Sequence, residues 1–370
     1  MRIGILTLPL HTNYGGILQA YALQSVLQRM GHDCLIIDHI LYKPCPLWKR
    51  PFVYLKRALK KYLLKEKNIS VFQEVYPTIN QNTRQFINKN ISRIAISDVR
   101  ELNEKYFDAI IVGSDQIWRP KYYRTIENAY LHFTKGWNIK RIAYAASFGT
   151  EEWEYSVEQT ELCAALIKEF DAISVREDSG VRLCKKHFNV EAKHVLDPTL
   201  LLTKEDYIRL FEKTKTRKSP GSLLCYILDI TDKKKELIHQ IKAKTGLLPF
   251  QTNCNVENTA LPLKERIQPP VEDWLRGFYD AELIITDSFH ACIFSIIFEK
   301  PFVVISNKER GLSRINSLLS MFNLSHLLIN NISDYEKIHP LNTKYISIEN
   351  KKKESFDFLY ESLKNENERT

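Results

Sequence analysis

Short apolar runs alternate with stretches of helical spacing along almost the whole chain. Ile3–Thr7, Cys34–Asp38, Asp108–Val112, Arg141–Ala146 and Ala172–Val175 read as strands, and Ile17–Met30, Asp178–His187 and Lys204–Lys213 as helices. A basic polar stretch, Lys213–Ser222, interrupts the pattern before a second alternating set begins. There Leu223–Leu228, Leu247–Phe250, Glu282–Thr286 and Phe302–Ile305 predict strands, and Lys233–Lys244, Val271–Tyr279, Ala291–Phe298 and Leu312–Phe322 helices. A last helix is expected over Glu354–Lys364. Strands alternating with helices mean parallel sheets wrapped by helices. The expected fold class is α/β, with two Rossmann-like doubly wound domains facing across a cleft. Their bounds are 1–202 and 203–345, followed by a C-terminal helix and tail over 346–370.

Length and composition narrow the classes. At 370 residues, 44% hydrophobic and 26% charged, the chain is long enough for two cores and is neither low-complexity nor disordered. No apolar run approaches the ~18–20 residues of a membrane span. Met1 to Leu10 reads as a strand and a turn with no cleavage site behind it, so no signal peptide is expected. Seven scattered cysteines without a C-x-x-C pair fit reduced thiols in a cytoplasmic protein and offer no zinc pattern.

Charge changes the picture in one place. The net charge is +9, yet residues 41–67 alone hold nine Lys and Arg against Glu66, so the rest of the chain is close to neutral. Within that segment Phe52, Leu55, Leu59, Tyr62 and Leu63 recur at helical spacing, between Lys56, Arg57, Lys60, Lys61 and Lys65 and just after Trp48. Such a helix either packs its apolar stripe on its own domain or lies in an anionic membrane interface, where each Lys or Arg contributes ~1 kcal/mol. No nucleic-acid-binding motif accompanies the patch. Lys56, Arg57, Lys60 and Lys61 are the candidate membrane-surface residues.

In open parallel sheets ligands sit beyond the carboxyl ends of strands, and the polar residues here gather at those ends. Asn13, Tyr14, Gly15 and Gly16 follow the first strand, while Ser114, Asp115, Gln116 and Trp118 follow Asp108–Val112. Ser147 and Phe148 follow Arg141–Ala146, and Arg176 with Glu177 follows Ala172–Val175. In the second half Asp287, Ser288 and His290 follow one strand, and Arg310, Gly311 and Arg314 follow the next. Asn13-Tyr14-Gly15-Gly16 and Arg310-Gly311-Leu312-Ser313-Arg314 precede helices whose free N–H groups suit an anion. Neither matches the P-loop or the dinucleotide fingerprint.

Taken in order, Asn13-Tyr14-Gly15-Gly16-Ile17-Leu18-Gln19, Gly113-Ser114-Asp115-Gln116-Ile117-Trp118, Ser174-Val175-Arg176-Glu177 with Ser179, Asp197-Pro198-Thr199 and Thr286-Asp287-Ser288-Phe289-His290 resemble the motifs of the polysaccharide pyruvyl transferase family. The resemblance runs from Ile3 to about Leu324. It implies two halves arranged as in a GT-B glycosyltransferase, and transfer of a pyruvyl group from phosphoenolpyruvate onto two hydroxyls of one sugar to leave a cyclic ketal. It implies an acceptor sugar of a bacterial surface polysaccharide, expected to be galactose- or mannose-type and lipid-linked. A cytoplasmic protein is expected, and the basic segment, rather than the resemblance, adds a peripheral place on the cytoplasmic face of the inner membrane. Two positions depart from the common pattern: Ser288 stands where many members have Arg, and Gly16 where many have Asp. Arg310 or Arg314 is expected to supply the charge missing at Ser288.

The implied roles follow the donor's chemistry. Phosphoenolpyruvate carries about three negative charges and calls for arginines that can bind carboxylate or phosphate. Arg176 leads the expected donor-binding set, with His290, Ser288, Arg310, Arg314, Asn13, Gly15 and Gly16. His290 is the expected proton donor or phosphate-binding cation, and Asp115 and Asp287 are the carboxylates placed to act as base. Tyr14, Ser114, Gln116, Trp118, Ser147 and Phe148 are expected to hold the acceptor. No metal and no cofactor beyond the donor substrate is called for, and nucleic acid is not an expected partner. A GT-B glycosyltransferase using a nucleotide sugar, or a non-catalytic assembly factor recruited to the membrane, are the alternative readings.

Overall fold

The computed structural model describes residues 1–40, 45–63, 71–123, 125–307, 312–338 and 347–364. Seven strands form one parallel sheet in the order β3-β2-β1-β4-β5-β6-β7. They are β1 (Arg2–Leu6), β2 (Asp33–His39), β3 (Arg93–Ile96), β4 (Ala109–Val112), β5 (Lys140–Ala146), β6 (Ala172–Val175) and β7 (Lys193–His194). Five more, β8 (Leu223–Tyr226), β9 (Pro249–Phe250), β10 (Leu283–Thr286), β11 (Phe302–Ile305) and β12 (Leu328–Ile329), form a second parallel sheet ordered β12-β11-β10-β8-β9. Each sheet reverses direction of growth at an early strand, which is the doubly wound arrangement expected, and the reversal opens a crevice at the strand ends.

The helices of the first half are α1 (Tyr14–Arg29), α2 (Arg50–Tyr62), α3 (Val75–Ile79), α4 (Gln81–Asn90), α5 (Val157–Leu166) and α6 (Asp178–Leu183). Those of the second are α7 (Lys204–Lys213), α8 (Asp232–Thr245), α9 (Val271–Asp280), α10 (Phe289–Ile297), α11 (Ser313–Met321), α12 (Ile332–Glu336) and α13 (Glu349–Leu363). The expected helix 178–187 is shortened, its last turn opening into a π-turn at Cys184–Phe188. The two-residue strands β7 and β12, together with β3, were not legible as apolar runs, because pairing at a sheet edge needs little hydrophobic surface.

The halves are not independent. Twelve of the sixteen α1 residues are buried, so the helix is apolar nearly all round, as a helix enclosed on both sides must be. One continuous core joins Ile17, Leu18 and Leu23 to Trp274, Phe278 and Phe294 of the second half. Tyr14 stacks on Trp274 with 5.4 Å between ring centroids, and its hydroxyl donates to the Pro269 carbonyl at 2.7 Å. α13 returns to the first sheet: Ser355 Oγ accepts from the Leu196 N–H at 3.0 Å, and the Phe358 ring lies 6.1 Å from that of Tyr144. The carboxyl ends of both sheets are thereby held against each other.

Candidate active site

Three strand ends of the first sheet deliver one charged cluster. Beyond β4 the chain turns through Asp115, which takes a φ of 72°, a strained conformation for a residue with a Cβ. Beyond β6 comes Arg176, and beyond β7 comes Asp197, both buried. The Arg176 guanidinium donates through Nη1 to Asp197 Oδ2 at 2.7 Å and to Ser114 Oγ at 3.0 Å, and through Nη2 to Asp115 Oδ1 at 3.2 Å. Ser114 Oγ in turn donates to Asp197 Oδ2 at 3.0 Å, while Oδ1 of Asp197 accepts from the Thr199 hydroxyl at 2.7 Å and its N–H at 3.0 Å. Glu177 is buried beside them, and its Oε1 accepts the N–H groups of Phe148 and Gly149, fixing the loop after β5.

The second sheet adds the imidazole. His290 sits in the first turn of α10, with Nε2 3.7 Å from Asp197 Oδ2 and no hydrogen bond to that nitrogen among the described residues. Its ring lies flat against the start of α1, where a Cβ on Gly15 would overlap Nδ1, Cγ and Cε1. Only glycine at position 15 leaves room for it. Gly16 faces the other carboxylate, since a Cβ there would lie 3.1 Å from Asp115 Oδ2 and 3.4 Å from Asn13 Nδ2. Arg314, from α11, is buried as well, and its guanidinium carbon lies 5.6 Å from the Phe289 ring centre while that of Arg176 lies 4.8 Å from it.

These groups set one another's charge. Burial opposes ionisation of Asp197, but His290, Arg176 and Thr199 outweigh it and hold the carboxyl well below its ordinary range. Asp115 is likewise disfavoured as an anion by burial, yet the charges of Arg176, His290 and Arg314 bring it below its ordinary value. Arg176 is raised because Asp197, Asp115 and Glu177 overcome its own desolvation. Arg314 moves the other way: burial, then repulsion from Arg176, lower it to about 10. The two guanidiniums are thus balanced within the site by the carboxylates of Asp115, Asp197 and Glu177.

The structure brings together Asp115, Ser114, Arg176, His290, Arg314, Gly15 and Gly16, and it reassigns several other expected residues. Asp287 is not available as a base. Its Oδ1 accepts from the Leu228 N–H at 2.7 Å, and its Oδ2 from Lys234 Nζ at 2.7 Å, Asn307 Nδ2 at 2.9 Å and the Asp229 N–H at 3.3 Å. Tyr14, Trp118 and Phe148 present no face to a sugar. Trp118 is stacked on Tyr130 at 5.0 Å and donates to the Ala129 carbonyl, Phe148 packs among Trp118, Trp153 and Tyr155, and Tyr14 bridges the halves. Arg176, expected to meet the donor directly, has a fully buried side chain whose Nη atoms bond Asp197, Ser114 and Asp115, while its Nε lies 4.0 Å from Glu177 Oε2 with no hydrogen bond among the described residues.

Gln116 is half-buried and accepts from Arg119 at 3.2 Å, Ser147 is buried with its hydroxyl unbonded among the described residues, and Ser288 is the buried residue before α10. Asn13 is exposed at the head of α1. Arg310 and Gly311 lie outside the described residues. Sequence reasoning gave no role to Asp197, the group that links the arginine to the histidine. Its signal was the Asp197-Pro198-Thr199 motif, hidden because the strand that leads to it is only two residues long.

A cavity of about 470 Å³ between the halves is lined by Asp178, Arg182 and His194 from the first and by Ser313, Asn316 and Ser317 from the second, with Lys351 of α13; none of the cluster's own residues lines it. Another, of about 370 Å³, lies at the ends of β8, β11 and β12, beside the Asp287 network.

Solved structures of similar architecture cover nearly the whole chain. A UDP-GlcNAc 2-epimerase from Methanocaldococcus jannaschii is 13% identical, with a TM-score of 0.55 over 97% of this chain and 100% of that one. Arabidopsis thaliana UGT89C1, solved in complex with UDP-L-rhamnose, is 8% identical, with a TM-score of 0.52 over 97% of each chain. At such identities the likeness concerns the fold alone, which is GT-B-like. Comparison with curated proteins finds no match. The family model for polysaccharide pyruvyl transferase matches residues 13–309, a stretch that includes every described residue of the cluster except Arg314. The chain belongs to the polysaccharide pyruvyl transferase family.

Proposed function

We propose that the cleft moves a pyruvyl group from phosphoenolpyruvate onto two hydroxyls of one sugar, releasing inorganic phosphate and leaving a cyclic ketal. The observation that carries this reading is His290, whose Nε2 has no hydrogen bond among the described residues and points into a buried charged cluster built by the opposite half of the molecule. A buried ring nitrogen left without a partner is costly to the fold. It is therefore the group best explained by a ligand.

In this mechanism Nε2–H of His290 protonates the methylene carbon of the donor, and positive charge develops at the adjacent carbon. One sugar hydroxyl attacks there and loses its proton. The tetrahedral adduct then releases phosphate, and a second hydroxyl of the same sugar closes the ring as its proton leaves. Asp115 suits the role of proton acceptor despite its depressed pKa, because a hydroxyl adding to such a cation becomes strongly acidic and needs only a weak base. Its Oδ2 faces Gly16, while Oδ1 is held by Arg176 and the Gln116 N–H. Arg314 takes the donor's anionic groups in place of the arginine that Ser288 does not supply. The acceptor we propose is a galactose- or mannose-type sugar carried on a lipid.

The test is phosphate release from phosphoenolpyruvate in the presence of a panel of lipid-linked acceptors. His290→Ala should lower the rate by about 10²–10⁴-fold, the range for loss of a general acid, with an unchanged thermal midpoint. A near wild-type rate would overturn the assignment. Thermal stabilisation by phosphoenolpyruvate supports the donor. Stabilisation by a uridine or guanosine diphosphate sugar alone would instead mark a glycosyltransferase, and binding without turnover an assembly factor.

A further inference from the structure

α2 is turned inside out. A helix on a soluble domain buries its apolar arc and shows water its charges, but α2 buries none of its residues. At 100° per residue Phe52, Leu55, Leu59, Tyr62 and the following Leu63 share one arc. That arc faces outward, with Phe52 72%, Leu55 61% and Tyr62 71% exposed. The half-buried residues between Val53 and Lys61 lie off that arc: Val53, Tyr54, Arg57, Ala58, Lys60 and Lys61. There the Tyr54 ring meets Phe72 at 5.4 Å, and Arg57 Nη1 donates to the Gln73 carbonyl at 3.3 Å. Of the two readings open at the sequence level, packing of the apolar stripe on its own domain is the one this orientation removes.

We infer that this face is a docking surface for an anionic lipid bilayer. Residues 45–63 carry six Lys and Arg and no acidic residue. Trp48, 70% exposed, and Leu47 extend the apolar arc by one turn, and Lys49 Nζ lies 4.6 Å from the Trp48 ring. Apolar and aromatic side chains on one face with basic side chains along its margins match an interface of acyl chains beneath anionic headgroups. A second copy of the chain is a poor occupant, since a two-fold contact would set this basic surface against itself.

The position of the helix gives the docking a consequence. α2 follows the carboxyl end of β2, the same edge of the first sheet that carries Asp115 and Arg176. The stretch after it reaches the cleft as well, where the Ile79 carbonyl accepts from the Gln268 N–H at 2.8 Å and Gln268 Nε2 donates to the Thr12 carbonyl at 3.0 Å. Docking through α2 would therefore set the strand ends beside the bilayer. The surface itself stands whatever group the cleft transfers.

The experiment is sedimentation of the full chain with vesicles of phosphatidylglycerol and phosphatidylcholine, and with phosphatidylcholine alone, in the absence of donor and acceptor. Binding should require phosphatidylglycerol and weaken with salt. Phe52→Ser/Leu55→Ser/Leu59→Ser should lower the partition coefficient at least tenfold, and Lys49→Gln/Lys56→Gln/Lys60→Gln should do the same, with circular dichroism and turnover of a soluble acceptor unchanged. Equal sedimentation of wild type and both variants would overturn the inference. So would a wild type that ignores anionic vesicles, or one whose apolar-face substitution changes only self-association in velocity sedimentation. Because neither substrate is present, failure here leaves the transfer reading untouched.

Discussion

Two buried carboxylate clusters lie at facing strand ends, and they differ in what they leave unfinished. Around Asp287 the account is closed: four donors, among them the Lys234 ammonium, use both oxygens, and Asn307 reaches on to Asp229 at 2.7 Å. Around Asp197 and Asp115 the imidazole Nε2 from the opposite half is left without a hydrogen bond among the described residues. Nε2 of His290 stops 3.7 Å short of Asp197, and the buried Arg314 lies near both Arg176 and the carboxylates of Glu177 and Asp115. A satisfied network rigidifies a fold. A network with a buried ring nitrogen still without a hydrogen bond leaves a place for a ligand, and this is why the chemistry is placed at the first cluster rather than the second.

The largest effect expected from breaking this contrast is on stability. Arg176→Ala leaves Asp197 and Asp115 buried without their main cation, and removal of one partner from a buried pair costs ~3–5 kcal/mol. Lys234→Ala should cost less, because Asp287 keeps two backbone N–H groups and the Asn307 amide. Urea unfolding at neutral pH measures both. The sign of the pH dependence follows from the depressed carboxyls: their contribution is present above the unfolded value of about 4 and is lost as pH falls. The gap between Arg176→Ala and wild type should therefore narrow on acidification. A gap that widens would mean Arg176 is not the ion on which these carboxylates depend.

Next in size is an effect read mainly in the rate. Gly15→Ala places a methyl group where the His290 ring lies, and a displacement of about 1 Å of a catalytic group costs ~10²-fold in rate. Stability should fall as well, by the ~1–3 kcal/mol of an overpacked buried site, because the ring has to move to admit the methyl group. In a His290→Ala background the same substitution should cost no further activity, because the ring it displaces is gone. Steady-state kinetics on the four proteins of that cycle is the measurement, and additive losses would show that Gly15 acts on something other than the histidine.

Much of this was legible before the structure. Alternation of apolar runs and helical spacing located the doubly wound halves, because strands buried on both faces have to read as unbroken Val, Ile and Leu. The charged cluster was visible as residues at strand ends. What stayed hidden was orientation and saturation. Nothing in the letters around Asp287 separates it from Asp115, since the difference lies in Lys234, 53 positions away. Trp118 and Phe148 look like a sugar platform in sequence, and only three-dimensional packing puts Tyr130, Tyr155 and Phe188 against them. The amphipathic pattern of α2 was plain, but periodicity states that two faces differ and is silent on which one turns inward.

Asp287→Asn should give the smallest change, and its partition between stability and rate separates the two clusters. The amide fills the same space, and its oxygen can keep the Leu228 N–H, but its NH₂ then confronts Lys234 Nζ, Asn307 Nδ2 and the Asp229 N–H, all donors. Misplacing a buried polar group in this way costs ~1–3 kcal/mol, read as a lower urea midpoint with an unchanged slope. Turnover per folded molecule should stay close to that of the wild type, because Asp287 touches only the ends of β8 and β11 and the first turn of α8. A rate loss of the size expected for a general base, about 10²-fold or more, with stability intact would reverse the comparison and move the proton acceptor from Asp115 to the second sheet.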